Sequence, residues 1–99
     1  MTLPLTGANV IIGNRLYHVT DGTNRPGGFF TAESFERPSA NYQWTDDCRI
    51  ATPEAVELWT ELIRAVRAFR VTDTHEDMLD AMTAQRRWNL YLHRIREEA

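Results

Sequence analysis

Proline and glycine are confined to the first half of this chain, and no other sequence feature constrains its fold as strongly. All four prolines and all five glycines lie at or before Pro53, and neither residue occurs from residue 54 to residue 99. Because proline breaks helices and glycine destabilises their interiors, so long an uninterrupted stretch favours long helices. In the first half, short β-prone runs alternate with turn dipeptides, as is typical of an antiparallel sheet.

Two helices are predicted in the second half. Residues 52–54 read Thr-Pro-Glu, which supplies an N-cap hydroxyl, a proline at the first helical position and an acid near the positive end of the helix dipole. An apolar residue then recurs every three or four positions to about Arg70. A second helix is predicted from Asp73, which stands three residues before Glu76 as in a capping box.

The two helices are expected to pack as an antiparallel hairpin, because only about three residues connect them. Each helix carries one apolar stripe, and the two stripes should face each other. The core of the hairpin is predicted to contain Trp59, Leu62, Val66, Met82 and Trp88.

Five strands are predicted in the first half. They cover residues 9–12, 15–20, 29–31, 41–45 and 48–51. Gly13-Asn14 should join the first two as a type II′ turn, because glycine accepts the positive φ that this turn requires. Residues 31–36 are predicted to form one helical turn, and Asp46-Asp47 to join the last two strands as a hairpin.

These elements predict an α+β fold, in which a small antiparallel sheet packs on a two-helix hairpin. The chain has 99 residues, of which 42% are hydrophobic, so we expect a single domain over 1–99. Its β-rich half is predicted to be 1–52 and its helical hairpin 53–99. Short apolar runs predict neither a membrane span nor a signal peptide. The single cysteine, Cys48, cannot form a disulfide within the chain, which favours a soluble cytoplasmic protein.

The sequence predicts no catalytic residue, no metal site and no cofactor. The three histidines are scattered, and Cys48 has no second thiol near it, so no metal-ligand spacing is present. The two serines, Ser34 and Ser39, lie in loop-like sequence. Cys48 itself is expected to be buried and chemically quiet, because cysteine is often a core residue.

The loop that follows the second predicted strand is a candidate ligand site. Arg25 and the glycines Gly27 and Gly28 could hold an anion between a guanidinium and backbone amides, although a plain strand connection has the same composition. Residues 16–20 (LYHVT), followed by 28–31 (GFFT), resemble the opening of some ADP-ribosyltransferase-like domains. In that family the histidine contacts NAD, so the resemblance implies such a contact for His18. The family has a larger sheet and a late glutamate on a strand, whereas residues 53–99 here are predicted helices.

A second candidate site lies on the second helix, away from its predicted core stripe. Leu90 has arginines three and four residues away, and Tyr91 follows it. An apolar centre ringed by guanidinium groups is typical of a docking surface for an acidic or phosphate-bearing partner. The predicted partner-binding residues are Arg86, Arg87, Leu90, Tyr91 and Arg94. Leu79 lies on the same line of the helix and is expected to pack under the β half.

We therefore expect a non-catalytic protein-binding module, an inhibitor or adaptor of one specific protein. Aromatic residues make up 10% of the chain, and tryptophan, tyrosine and arginine dominate interface hot spots. Size and composition alone resemble phage-encoded inhibitors of host machinery, such as anti-CRISPR proteins. The alternative is a nucleotide- or nucleic-acid-binding domain, including a truncated ADP-ribosyltransferase-like fold. It would use either Arg25 with the glycine loop, or the late arginines with Trp88 and Tyr91 stacking on bases. The net charge of −3 is unfavourable for that alternative.

Overall fold

The structure is a computed structural model that describes residues 4–98. The chain divides into two compact units, Met1–Thr52 and Pro53–Ala99. The first unit is a five-stranded antiparallel sheet, and the second consists of two helices that pack on each other. The α+β class is therefore confirmed, and the two units meet between Thr52 and Pro53. Their union into one domain stays a prediction.

The sheet is a meander with one added strand. The strands are β1 (Asn9–Ile12), β2 (Arg15–Gly22), β3 (Phe29–Ser34), β4 (Arg37–Gln43) and β5 (Cys48–Ile50). Their order across the sheet is β4-β3-β2-β1-β5. The first four strands therefore follow one another through hairpins, and β5 returns to the free edge of β1.

The first hairpin has the predicted turn. Ile12 pairs with Arg15, so Gly13 and Asn14 form a two-residue loop between β1 and β2. Gly13 has a φ of 62°, and Asn14 is not among the residues of positive φ. A positive φ at the first turn position alone is the requirement of a type II′ turn.

The helical turn predicted at 31–36 is wrong, because β3 continues as a strand to Ser34. Ser34 pairs with Arg37, and the two residues between them form a tight turn in which Glu36 has a φ of 62°. Pro38 does not prevent pairing, because β4 is an edge strand and one of its sides needs no ladder hydrogen bonds.

The last predicted hairpin is also wrong, because β4 and β5 lie at opposite edges of the sheet. The backbone N–H of Trp44 donates to the carbonyl of Gly28, and the N–H of Gly27 donates to the carbonyl of Trp44. These bonds extend the pairing beside β3 past the end of β4. Asp46-Asp47 therefore lies in the connection from β4 to β5. Strand β5 pairs with β1, where Ile12 lies opposite Cys48.

One face of the sheet carries an apolar cluster. Its fully or nearly fully buried members are Leu5, Val10, Tyr17, Val19, Phe30, Ala32 and Cys48. Gly22 is required beside this cluster, because its φ is 126° and an added Cβ would lie 2.5 Å from the Cβ of Phe30. On the opposite face, Ile11 and Leu16 pair across β1 and β2 and are also buried.

The first helix continues past its predicted end near Arg70, and the second begins later than predicted. Helix α1 spans Pro53–Thr72 and helix α2 spans His75–Glu97. Asp73 is not the N-cap of α2: its φ is 50°, and its N–H donates to the carbonyl of Phe69 at 2.7 Å, which closes the end of α1. The N-cap is Thr74, whose hydroxyl accepts a hydrogen bond from the N–H of Asp77 at 3.2 Å. Within residues 4–98, neither helix has the length and hydropathy needed to cross a membrane.

Aromatic residues form the contact between α1 and α2. The ring centroids of Trp59 and Trp88 lie 5.1 Å apart, and Trp88 stacks on Tyr91 at 5.9 Å. Leu62 and Trp88 are buried as predicted, and Trp59 and Val66 are half-buried. Met82 is a wrong prediction, since its side chain is 55% exposed. The buried stripe of α2 consists of Ala84, Trp88, Tyr91 and Leu92.

The burial of Leu62 and the exposure of Met82 give opposite expectations for truncation. Leu62→Ala should lower the free energy of unfolding by about 2–5 kcal/mol, because it leaves a cavity in the helical core. Met82→Ala removes a similar number of atoms from the surface and should change it by no more than about 0.5 kcal/mol. Chemical denaturation followed by circular dichroism measures both values, and equal losses would contradict the assigned faces.

Candidate functional site

The outer surface of α2 is the exposed face that lies opposite its buried stripe. Successive residues of a helix are separated by 100°, so the burial of Trp88 directs Leu79, Met82 and Leu90 away from α1. Their exposed fractions are 47%, 55% and 63%. Arg86 lies among them and is exposed as well. We call these four residues the outer surface of α2.

The outer surface is shallow. It includes a groove of about 410 Å³ that is lined by Met82, Gln85, Arg86, Asn89 and Leu90. All five residues belong to one helix, so the groove is the space between neighbouring side chains and has no opposite wall. Small-molecule sites are concave and enclose most of their ligand. This geometry is therefore better suited to another protein surface than to a small ligand.

The arginines of the predicted docking surface are not equivalent. Arg87 pairs with Glu61 of α1 at 3.4 Å, and Arg94 pairs with Glu54 at the start of α1. Both guanidinium groups therefore connect the two helices, and their charge is balanced by a carboxylate. For the guanidinium of Arg86, by contrast, no ion pair or hydrogen bond is found among the residues that the structure describes.

Tyr91 does not belong to the exposed surface on which it was predicted. Its side chain is only 5% exposed, because it packs on Trp88 within the helical unit. The guanidinium of Arg94 lies over the Tyr91 ring, 5.1 Å from its centroid, and covers it further. Of the five predicted partner-binding residues, Leu90 and Arg86 lie together on the outer surface, Arg87 and Arg94 face α1, and Tyr91 is a core residue.

The buried rings also remove the base-stacking site that the nucleic-acid alternative requires. Trp88 is 1% exposed, and Tyr91 is nearly as buried. Neither ring can stack on a base without unpacking the helical core. The late arginines are thus left without the aromatic platform that single-strand binding uses.

The amides of the two loop glycines are already hydrogen-bonded within the sheet unit. The N–H of Gly28 donates to the carbonyl of Arg25 at 2.8 Å, and that of Gly27 donates to the carbonyl of Trp44 at 3.0 Å. The side-chain amide of Gln43 donates to the carbonyl of Gly27 at 3.0 Å and ties the loop to β4. An anion nest needs successive free N–H groups. These glycines therefore shape a strand connection, and Arg25 is an exposed residue on it.

His18 lies far from that loop. It lies exposed within β2, opposite Asn9 of β1 and Glu33 of β3. The strand continues for four residues beyond it to Gly22, a distance of about 13 Å at the rise of a β-strand. The four predicted loop-site residues thus do not form one site. Among the described residues, no group of three or more histidine, cysteine, aspartate or glutamate side chains could hold a metal ion.

An aromatic cluster on the sheet was missed by the sequence analysis. Tyr42 lies 5.0 Å from Tyr17 and 6.0 Å from Phe30, measured between ring centroids. The guanidinium of Arg37 donates to the Tyr17 hydroxyl at 3.1 Å. Burial raises the pKa of Tyr42, and the neighbouring Tyr17 hydroxyl raises it further. The alternation of Tyr42 with polar neighbours is the signal that could have placed it on the apolar face of an edge strand.

Comparisons with known proteins identify no relative. No protein-family model matches the chain, and no curated protein and no solved structure is significantly similar to it. A functional proposal for this protein therefore depends on the chemistry of its own surfaces.

The buried thiol of Cys48 should react slowly. Its side chain is 8% exposed, and its Sγ lies 3.6 Å from the carbonyl oxygen of Gln43, to which it donates. A thiol reagent should modify the native protein at least about tenfold more slowly than the protein in guanidinium chloride, because it must wait for local opening. The release of the reagent's chromophore measures both rates, and equal rates would contradict the placement of Cys48.

Proposed function

We propose that this protein is a non-catalytic binding module, a small inhibitor or adaptor that docks on one specific protein partner. The observation that supports this proposal is the outer surface of α2, where three large apolar side chains are about half or more exposed on one helix face. Isolated apolar residues are common on protein surfaces, but contiguous apolar groups often mark interaction sites. We expect Leu90, the most exposed of the three, to be the central contact.

The partner's surface should be apolar at its centre and acidic or phosphate-bearing beside it. Arg86 is the cation that supports this expectation, because Arg87 and Arg94 already face carboxylates of α1. A carboxylate or phosphate that meets Arg86 could form two parallel hydrogen bonds with its guanidinium. This ion pair would fix the orientation of the partner, and the apolar contacts would supply most of the binding free energy.

The reducing cytoplasm is the proposed compartment. Cys48 is a free cysteine, and its burial within the sheet unit is consistent with a fold that needs no disulfide. Proteins of oxidising compartments that are this small commonly depend on disulfides.

A charge at the centre of the proposed surface should abolish partner capture without unfolding the chain. Tagged wild-type protein, immobilised and exposed to a lysate of the source cells, should retain one protein in near-stoichiometric amount. Leu90→Glu should reduce its recovery by at least about tenfold, because a buried unpaired carboxylate opposes docking. Arg86→Glu should reduce it as well, because the charge that faces the partner is reversed.

Val71→Glu is the matched control, because Val71 is an exposed apolar residue on α1, 86% accessible, and lies outside the proposed surface. All variants should melt within a few degrees of the wild type. The proposal is contradicted if Leu90→Glu retains the same protein as the wild type, or if Val71→Glu loses it equally.

Single-stranded DNA should bind weakly or not at all. Trp88 and Tyr91, the rings predicted to stack on bases, are buried, and the net charge is −3. A fluorescence anisotropy titration with a labelled oligonucleotide at low salt should show no saturable binding below about 100 µM. Saturable binding that weakens steeply as salt is added would favour the nucleic-acid function instead.

A further inference from the structure

The exposed side of α2 has the spacing of a coiled-coil seam. Seven positions, separated alternately by three and four residues, run along the helix and are all exposed: Glu76, Leu79, Thr83, Arg86, Leu90, His93 and Glu97. A repeat of 3.5 residues keeps one stripe of a helix in contact with a second helix over its full length. This seam includes three residues of the outer surface of α2, and Met82 lies immediately beside it.

The seam is complementary to itself when two copies run antiparallel. A two-fold axis between residues 84 and 85 places Leu79 of each copy opposite Leu90 of the other. The same axis places Glu76 opposite His93 and Thr83 opposite Arg86. Both leucines of each copy are thereby covered by leucine. At each end Glu76 lies beside His93, whose imidazole also contacts Glu97 of its own helix at 3.0 Å.

Other arrangements of the same two helices are less favourable. A parallel pair in register would place Arg86 against Arg86 and Glu76 against Glu76, and like charges in contact oppose association. Moving the antiparallel pair by one heptad would place Leu79 opposite Thr83 or Glu97 instead of Leu90. The symmetric antiparallel register is the one that pairs leucine with leucine.

The positions beside the seam have the same complementarity. Asp80 of one copy lies next to Arg87 of the other, whose guanidinium is also paired with Glu61 of its own α1 at 3.4 Å. Met82 lies next to Asn89 of the other copy on the other flank, where its exposed thioether side chain would be partly covered. Apolar contact therefore favours this register, and no like charges oppose it.

We propose that a second copy of this chain occupies the outer surface of α2, in an antiparallel and weak homodimer. This proposal goes beyond the proposed function and does not depend on it. Where both hold, the second copy and the partner protein compete for Leu90, and the dimer covers the apolar surface until the partner displaces one copy.

The dimer should be weak because little apolar surface is available to it. Each copy contributes three partly exposed apolar side chains from one helix face, fewer than the 20–30 residues per side of a standard stable interface. We expect a dissociation constant on the order of 100 µM.

Cysteine cross-linking tests the register. In a Cys48→Ala background, Glu76→Cys and His93→Cys are prepared as separate proteins, which leaves both leucines of the seam intact. In the proposed dimer these two positions meet between copies, whereas either position lies about 25 Å along the axis from itself in the other copy. A short bismaleimide should therefore cross-link an equimolar mixture at least about tenfold more efficiently than either protein alone. Equal cross-linking in the single-variant samples, or none in the mixture, would overturn the proposal.

Sedimentation velocity of the purified chain alone tests the contact. The weight-average mass of the wild type should rise toward a dimer between about 10 µM and 1 mM, by mass action. Leu90→Glu and Leu79→Glu should each remain monomeric, and Val71→Glu should behave as the wild type. A wild type that is monomeric throughout, or association that neither leucine variant weakens, would overturn the proposal.

No partner protein is present in either measurement, so their outcome is independent of lysate capture. Two seam variants are used so that unfolding of one, detected by its circular dichroism melt, leaves the other to decide the result.

Discussion

The packing of Trp88 against α1 determines which side of α2 meets solvent, and the proposed functions of this protein depend on that orientation. Trp88 is 1% exposed, contacts Trp59 and stacks on Tyr91. Burying an indole ring of this size is worth several kcal/mol, more than any other single side chain of α2 can offer. Once Trp88 faces α1, the 100° step of the helix leaves Leu90 on the opposite side whatever its own hydrophobicity.

Local signals in the sequence were sufficient for the features that form between neighbouring residues. The β1–β2 hairpin depends on Gly13 at a turn position of positive φ, and both helices depend on the absence of proline and glycine after Pro53. The α+β class follows from the same signals. The end of α1 was missed because Asp73 can serve either as an N-cap or as a left-handed residue after a helix, and the backbone of Phe69 selects the second.

Contacts between distant residues could not be predicted in this way. Strand β5 pairs with β1 across almost forty residues of chain, whereas the sequence favours the nearer partner in β4. Similarly, α2 carries apolar residues on more than one face, so its inward side could not be read from periodicity alone. The buried stripe is rotated about the helix axis by roughly 50° from the predicted stripe. As a result Met82 lies at the surface and Tyr91 is buried. Ala84 is also buried, although a residue this small gives little hydrophobic signal of its own.

The distribution of charge along α2 is explained by the stability of the helix itself, without any role in association. Acids near the beginning of a helix and bases near its end both stabilise the helix dipole, and α2 has Glu76 and Asp77 in its first turn and Arg94 and Arg96 in its last. Any helix with this pattern is electrostatically complementary to an antiparallel copy of itself. The charges therefore favour an antiparallel over a parallel arrangement, but they do little to select the partner or the register. Specificity comes from Leu79 and Leu90, which lie at equal distances from the centre of the seam and so cover each other in one register. The helix dipole accounts for neither leucine, and α1 does not bury them.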